Sequence, residues 1–335
     1  LAQPKDSMCI MIWGKNDRNT APSACEAILY ARDHGAKLIV VDPIRTDFAK
    51  MADLWLQIKP GYDGQLAMSM INEIITNGLY DREFVEEFTL GFEELKKAAE
   101  RYPAKEVAER MWLTPDMIRE ASRLYATAKP ACIIDGNGLD MQVQVFQSTR
   151  AVCMLRALTG NLDKVGGDLI PQPVPTRDIK LKEMLQKDIR PITGDYRLFS
   201  EFSKSWGLHV QSCIVDSILE ERPYPIRMLV VQSGNPAVTM TDSNRVRKAL
   251  ERLEFLVVID PFMTRTAELA DVILPAASCF EKTQLNRAYV RNNLVVLQNQ
   301  VIDWQGESRP DWKIIFELAK KLGMEKEFPW RTAEE

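Results

Sequence analysis

The sequence predicts an α/β protein made of two αβα units, and three observations carry that prediction. The stretch from Arg227 to Pro275 reads as strand, helix and strand, closing on Asp260-Pro261 and then on a further apolar run. The same order of elements occurs earlier, from Met8 through Val41-Asp-Pro43 to Ala52-Asp53. The steps between elements repeat too: Asp42 stands as far before Asp53 as Asp260 before Asp271, and Thr46 and Thr264 follow at equal distance.

Each copy has a physical reading. Cys9 to Trp13 and Leu229 to Val231 are apolar runs too short for an ordinary helix, each leading to a glycine, and so read as buried parallel strands entering tight turns. Ala24, Ala27, Ile28 and Ala31 then set small apolar side chains on one helical face, as Val246, Ala249, Leu250 and Leu253 do in the second copy. His34-Gly35 offers a helix stop. Leu38 to Val41 and Phe255 to Ile259 supply the next strands. Strand, helix and strand of this length form a right-handed crossover whose ligand belongs outside the carboxyl ends of the strands. The turn holding Gly14 and Asn16, and its counterpart at Gly234 and Asn235, would let backbone and a helix N-terminus meet a diphosphate. Asp42 and Asp260 stand where a carboxylate accepts hydrogen bonds from ribose hydroxyls. Neither turn carries the three glycines of the dinucleotide fingerprint, so a merely structural turn is the alternative for either copy. The repeat argues against coincidence.

At 335 residues the chain predicts about two domains, and 46% apolar with 27% charged residues is the composition of an ordinary globular protein. A net charge of −4 without a long basic run favours no nucleic-acid partner. No apolar run approaches the ~20 residues of a membrane span, and Leu1 to Lys5 lacks a signal-peptide core. The first residue is not Met and the first strand starts almost at once, so the chain reads as a piece of something longer. Localisation is left open between the cytoplasm and export in a folded, cofactor-loaded form. Six cysteines without a Cys-x-x-Cys pair give no metal site by spacing and read as buried thiols suited to a reducing compartment. His34 and His209 are the only imidazoles, and His34 at a helix end reads as a cap before a catalyst.

Between the copies, Leu54 opens a short strand, and Pro60-Gly61 turns the chain into a helix from about Gln65 to Thr76 with Asp63 at its start. That carboxylate either caps helix amides or faces a ligand across the strand ends. Guanine would suit it, since a carboxylate accepts both donors of the N1 and N2 edge. Residues 80 to 128 alternate helical patterns that cover the sheet, with Thr114-Pro115-Asp116 a helix start. Ala131 to Asp135 reads as a strand opening a second sheet, which sets the domains at 1–128 and 129–335. Gly136 and Gly138 after it allow a ligand close, or form only a tight turn. A helix from about Val143 to Leu158 and the loop Thr159 to Gly167 follow, then an irregular excursion at about 171–225. Lys282, just past a strand end, meets a phosphate or is a surface lysine. The last helix, Arg309 to Gly323, has Trp312, Ile315, Phe316 and Leu318 as its core stripe, and Asp311 in its first turn complements the helix dipole.

Trp13-Gly-Lys-Asn16, Val41 to Thr46 with Ala52-Asp53, Lys59-Pro-Gly-Tyr-Asp63, Leu158-Thr-Gly-Asn161 with Gly166-Gly167, Gly234-Asn-Pro236, and Val258 to Pro275 follow one another in order. Together they resemble the molybdopterin oxidoreductase family over nearly the whole chain. Its members hold molybdenum or tungsten between two pterin guanine dinucleotides (bis-MGD), and dimethyl sulfoxide reductases, periplasmic nitrate reductases and formate dehydrogenases belong to it. The resemblance implies two Rossmann-like αβα domains related by a pseudo-two-fold, each binding one dinucleotide. It implies that Gly14, Asn16, Asp42, Pro43, Arg45, Thr46, Tyr62 and Asp63 line one site, and Gly138, Met141, Asn235, Asp260, Lys282 and Asp311 the other.

Two departures stand out. Met141-Gln142 replaces the family's frequent Gln-His, and Glu281-Lys-Thr-Gln-Leu285 replaces Glu-Lys-x-Gly-Thr. The latter, with Gly306 to Asp311, looks like a branch of thiosulfate reductase-like and acetylene hydratase-like members. The family's [4Fe-4S] cysteines and protein ligand to the metal normally precede Trp13, and a further domain follows. The resemblance therefore implies no catalytic residue and no metal ligand in this chain, with the missing terminal domains and an iron-sulfur electron-transfer subunit as partners. Binding of cofactor by this stretch alone is left open. A pterin-free electron-transfer subunit of the same fold, like the large iron-sulfur subunit of respiratory complex I, is the alternative, and the polar strand ends argue against it.

Overall fold

The computed structural model describes residues 1–172, 174–175, 181, 184, 190, 192–194, 196, 211–286 and 294–335. The chain divides into two units, Leu1–Gln172 and Pro173–Glu335.

In the first unit the short apolar runs form strands β1 (Cys9–Trp13), β2 (Lys37–Val41), β3 (Leu54–Leu56) and β4 (Ala131–Asp135). All pair in parallel, in the order β3-β2-β1-β4. Strand side chains alternate between faces. Cys9, Met11 and Trp13 enter one core, shared with helices α2 (Asp63–Thr76), α3 (Pro115–Thr127) and α4 (Val145–Leu158). Ile10 and Ile12 enter the opposite core, beneath α1 (Cys25–Asp33). Burial on both faces is why β1 reads as unbroken hydrophobic sequence. Thr114 caps α3 as expected, its hydroxyl accepting the Met117 N–H at 3.3 Å.

The expected boundary near residue 128 is corrected here. β4 does not open a second sheet: Ala131 lies opposite Cys9 and Asp135 opposite Trp13, and the division between units falls after Gln172. Side chains from α4 and the following loop close the outer edge of β4. Asn161 Oδ1 accepts the Ala131 N–H at 3.0 Å, and Asp168 Oδ2 accepts the Ile133 N–H at 3.2 Å. Arg156 donates to the Ile133 carbonyl at 3.1 Å and pairs with Asp135 and, at 3.3 Å, with Asp168. Backbone groups of an edge strand need partners, and these residues supply them where another strand would.

In the second unit β5 (Met228–Gln232), β6 (Phe255–Asp260) and β7 (Val272–Pro275) form a parallel sheet in that order. Val215 and Ile218 of α5 (Gln211–Glu220) and Val246, Ala249 and Leu250 of α6 (Ser243–Arg252) pack with Leu256 and Val258 on one face. A separate antiparallel pair joins β8 (Gln284–Asn286) and β9 (Val296–Gln298). The final helix, α7, runs Asp311–Lys321. Its stripe is corrected by one position: Ala319 is buried and Leu318 is 44% exposed. Trp312, Ile315, Phe316 and Ala319 keep helical spacing, and Leu318 falls off that face. Most of the expected excursion at 171–225, including His209, lies outside the described residues.

Four of the cysteines, Cys9, Cys25, Cys132 and Cys213, are buried, whereas Cys153 and Cys279 are exposed, against the expectation of burial throughout. No helix among the described residues is long and apolar enough to cross a membrane.

Candidate functional site

The two halves repeat one turn, hydrogen bond by hydrogen bond. Beyond β1, Gly14 has φ +58° and donates its N–H to the Val41 carbonyl at 2.9 Å; beyond β5, Ser233 has φ +52° and donates to the Ile259 carbonyl at 3.0 Å. Asn16 and Asn235 each start a short helix, and Thr20 and Thr239 donate their hydroxyls back to the Asn16 and Asn235 carbonyls, both at 3.0 Å. Asp42 Oδ1 accepts the Ile44 N–H at 2.8 Å, and Asp260 Oδ1 accepts the Phe262 N–H at 2.9 Å. Thr46 and Thr264 accept the Ala49 and Ala267 amides at 3.2 and 3.1 Å. Asp53 and Asp271, the markers of the sequence repeat, accept the Leu38 and Leu256 amides at 2.9 and 2.7 Å and so tie neighbouring strands together. Gly14 thus corresponds to Ser233, not Gly234.

Glycine is needed in the first copy because a second turn crosses it. The Gly138 N–H donates to the Gly14 carbonyl at 2.9 Å, and a Cβ on Gly138 would lie 2.7 Å from that oxygen. A Cβ on Gly14 would lie 2.9 Å from the Leu139 nitrogen. This crossing lies where the strand order reverses between β1 and β4, the crevice in which open parallel sheets take ligands. Gly138 therefore belongs to the first unit, as does Met141, whose side chain is 80% exposed; the expectation that grouped both with the second domain is corrected by the pairing of β4.

Around the end of β1, Asp63 opens α2 and is buried, and its Oδ1 accepts the Trp13 indole N–H at 2.8 Å. Burial pushes the Asp63 carboxyl above its usual range against the pull of that N–H and of its own amide. Asp42 is pushed up by burial as well, with the nearby Asp63 charge adding to the effect against the Ile44 amide. The two carboxylates are thus close enough for the Asp63 charge to act on Asp42. Tyr62 precedes α2 with the Lys59 ammonium 5.2 Å from its ring centroid, and the exposed Arg45 guanidinium lies 5.7 Å from the Trp55 ring centroid. Pro43 is half-buried between Asp42 and the exposed Ile44. Thr46 caps the short helix Asp47–Met51, which commits its hydroxyl oxygen to the backbone.

In the second unit Asn235 Oδ1 accepts both the Thr266 N–H at 3.2 Å and its hydroxyl at 2.8 Å, fixing the turn to the loop beyond β6. Asp311 opens α7; its Oδ1 accepts the Gln232 amide N–H at 3.3 Å, and its Oδ2 pairs with Lys282. Burial would raise the Asp311 pKa, but the Lys282 ammonium and the Gln232 amide outweigh it and hold the group below its usual range. Lys282 is thus neither a free surface lysine nor a lone cation at a strand end. Glu281 beside it accepts the Ser278 N–H at 2.7 Å, the Gln305 N–H at 2.6 Å and the Ser308 hydroxyl at 3.0 Å, joining two loops next to that pair. These donors, Ser278 foremost, hold its pKa down to about 2.

Sequence reasoning missed Trp13 and Gln232. The signal was their shared place, each one residue before a left-handed turn. A large cleft of about 800 Å³ in the first unit lies elsewhere, between α2, α4 and the helices Arg82–Phe88 and Phe92–Ala99, and none of Gly14, Asn16, Asp42 or Asp63 lines it. That cleft is lined by apolar side chains together with Gln65, Arg101 and Arg150, whereas Asp42, Asp63 and the Gly14 turn gather at the strand ends.

A family model described as molybdopterin oxidoreductase matches residues 2–321. The F420-dependent formate dehydrogenase subunit alpha of Methanocaldococcus jannaschii is 34% identical over 98% of this chain and 49% of its own length. Acetylene hydratase of Syntrophotalea acetylenica is 32% identical over 97% of this chain and 48% of its own. The solved structure of acetylene hydratase from Pelobacter acetylenicus is similar over 99% of this chain and 49% of that chain, with a TM-score of 0.87 at 31% identity. The chain spans about half the length of the curated relatives it matches.

Proposed function

The chain belongs to the molybdopterin oxidoreductase family, and from that premise we propose that it is the part of a larger oxidoreductase that grips two pterin guanine dinucleotides. The observation that carries this reading is the duplicated turn, in which each half sets a left-handed residue, a helix-starting Asn and a strand-end Asp in the same hydrogen-bonded frame. The donor set fits the group. In the first half Gly14 and Asn16 offer backbone to diphosphate, Asp42 accepts ribose hydroxyls, and Asp63 accepts the two donors of the guanine edge, with Pro43, Arg45, Thr46 and Tyr62 around them. In the second half Asn235, Asp260 and Asp311 take the corresponding parts, and Lys282 adds a cation beside the base-reading carboxylate.

When bound, the molybdenum or tungsten carried by the pterins supplies the redox chemistry. This chain's residues hold and orient the nucleotide ends, and catalytic residues, the metal's protein ligand and [4Fe-4S] ligands come from outside the span. The relatives named as alpha subunits of formate dehydrogenases support an electron-transfer subunit as partner.

The test is metal, pterin and guanine-nucleotide analysis of the full-length protein purified from cells supplied with molybdate and tungstate. Metal with pterin and guanine nucleotide is expected. Flavin without pterin overturns the reading, and iron-sulfur clusters without pterin favour the electron-transfer scaffold.

A further inference from the structure

We propose that Trp13 and Gln232 are positioning residues for the two base-reading carboxylates, each donating a side-chain N–H from the end of its first strand to the aspartate that opens the facing helix. The inference rests on the reading of Asp63 and Asp311 as base acceptors and adds what orients them.

The two residues occupy equivalent positions: Trp13 ends β1 before Gly14, and Gln232 ends β5 before Ser233. An indole and a carboxamide differ in size, shape and burial. Trp13 is fully buried, whereas Gln232 is exposed. They share an N–H donor, and both aim it at Oδ1 of a helix-opening aspartate, at 2.8 and 3.3 Å. Packing alone would keep shape and be indifferent to the donor. Here shape has changed and the donor has stayed.

The need for such a donor follows from where the aspartates sit. A carboxylate in a helix's first turn can swing back and cap the amides there. Meeting N1–H and N2–H of one base requires both its oxygens to face outward in a single plane. With the Cα–Cβ bond fixed by the helix start and one donor in the helix's own first amide, a second donor on Oδ1 from the strand side ties the carboxylate to the strand end as well. In the second half Lys282 holds the other oxygen as well, so Asp311 is restrained twice, and among the described residues Trp13 is the side-chain donor to Asp63.

The experiment uses full-length protein made without cofactor in a host unable to synthesise the pterin, with GDP and IDP as probes in equilibrium dialysis. Hypoxanthine lacks the 2-amino group, so the GDP-to-IDP affinity ratio reads two-point recognition. Asp311→Asn leaves the first half to be read and Asp63→Asn the second. In the Asp311→Asn background, Trp13→Phe is expected to lower the ratio about tenfold, the loss of one hydrogen-bonded contact. Site-specific replacement of Trp13 by benzothienylalanine, which keeps the ring shape without the N–H, is expected to do the same. In the Asp63→Asn background, Gln232→Met is expected to give a smaller fall, because Lys282 remains.

Equal loss of GDP and IDP affinity, or an unchanged ratio with the benzothienyl side chain, overturns the inference. If Asp63→Asn lowers the ratio in the first half and the Trp13 replacements do not, the base-reading function stands and the positioning role fails. If Asp63→Asn itself leaves the ratio unchanged, both fail.

Discussion

Replacing Gly14 by alanine perturbs the place where the turns after β1 and β4 cross. An alanine at φ +58° costs about 1–2 kcal/mol. Its Cβ would also lie 2.9 Å from the Leu139 nitrogen and 3.0 Å from the Gly138 carbonyl carbon. Both are main-chain atoms, tied in place by the Gly138-to-Gly14 hydrogen bond, so relief means shifting a whole turn, and overpacking of this kind costs about 1–3 kcal/mol. Gly14→Ala should therefore destabilise by about 2–5 kcal/mol. Ser233 provides an internal control, since it has the same conformation at φ +52° and already carries a Cβ. β5 is an edge strand of its sheet, with no counterpart of β4 beside it among the described residues. Ser233→Gly removes the left-handed cost but frees the unfolded chain, for a net gain from near zero to about 1 kcal/mol. Urea unfolding of the full-length protein, followed by fluorescence, measures both as midpoint shifts at unchanged slope. A neutral Gly14→Ala, or a Ser233→Gly that destabilises as much as Gly14→Ala, would refute the crossing of the two turns as the reason for glycine.

Four further outcomes are expected. Arg156→Met should cost about 3–5 kcal/mol by leaving the Asp168 carboxylate buried beside Asp135 without its cation, and Asp168→Asn in the same chain should restore part of the midpoint. Ala319→Leu should cost about 1–3 kcal/mol by overfilling a buried site, whereas Leu318→Ala on the exposed side of α7 should stay within about 0.5 kcal/mol by thermal melting. The folded-state pKa of Asp63 lies above its unfolded value, so its contribution to stability is present at low pH and lost as pH rises through the raised pKa, while its ability to accept base donors runs the opposite way. Asp311 lies below its usual range, so GDP binding in the Asp311→Asn variant should fail on acidification at a higher pH than in Asp63→Asn, as a dialysis series from pH 7 to 3 would show. Glu281, held to about 2, contributes above the ordinary glutamate range and loses that contribution only as pH falls through about 2. Amide exchange at Ser278 and Gln305 should therefore stay slow at pH 4 in the native protein and quicken at pH 7 in Glu281→Ala.

What was legible in the sequence is what local chemistry encodes. β1 showed as a run of five apolar residues because both faces of the sheet are covered, and the Thr114 cap showed because it bonds an amide three residues on. The repeat of Asp42, Thr46 and Asp53 in Asp260, Thr264 and Asp271 was readable because each side chain closes a bond within its own turn or to the adjacent strand. Partnership across long separations was not legible. Nothing local in Ala131–Asp135 tells that it lies beside β1, so local patterning puts the boundary before β4, whereas the pairing of β4 keeps Gly138 and Met141 in the first unit. Trp13 reaches Asp63 across 50 positions and Gln232 reaches Asp311 across 79, and two unlike side chains gave no pattern to align. Leu318 is larger and more apolar than Ala319 and so reads as the core residue of α7, but the helix turn, not side-chain size, decides which one faces inward.

Under the proposed function one cradle occurs twice, and each copy would hold one guanine nucleotide. Its most direct test is the number of guanine nucleotides released by acid from the full-length protein as purified, counted per chain in the native sequence, in Asp63→Asn and in Asp311→Asn. Two per chain, falling to one in either variant, is the predicted result. A single nucleotide in the native protein, or two retained in both variants, would contradict it.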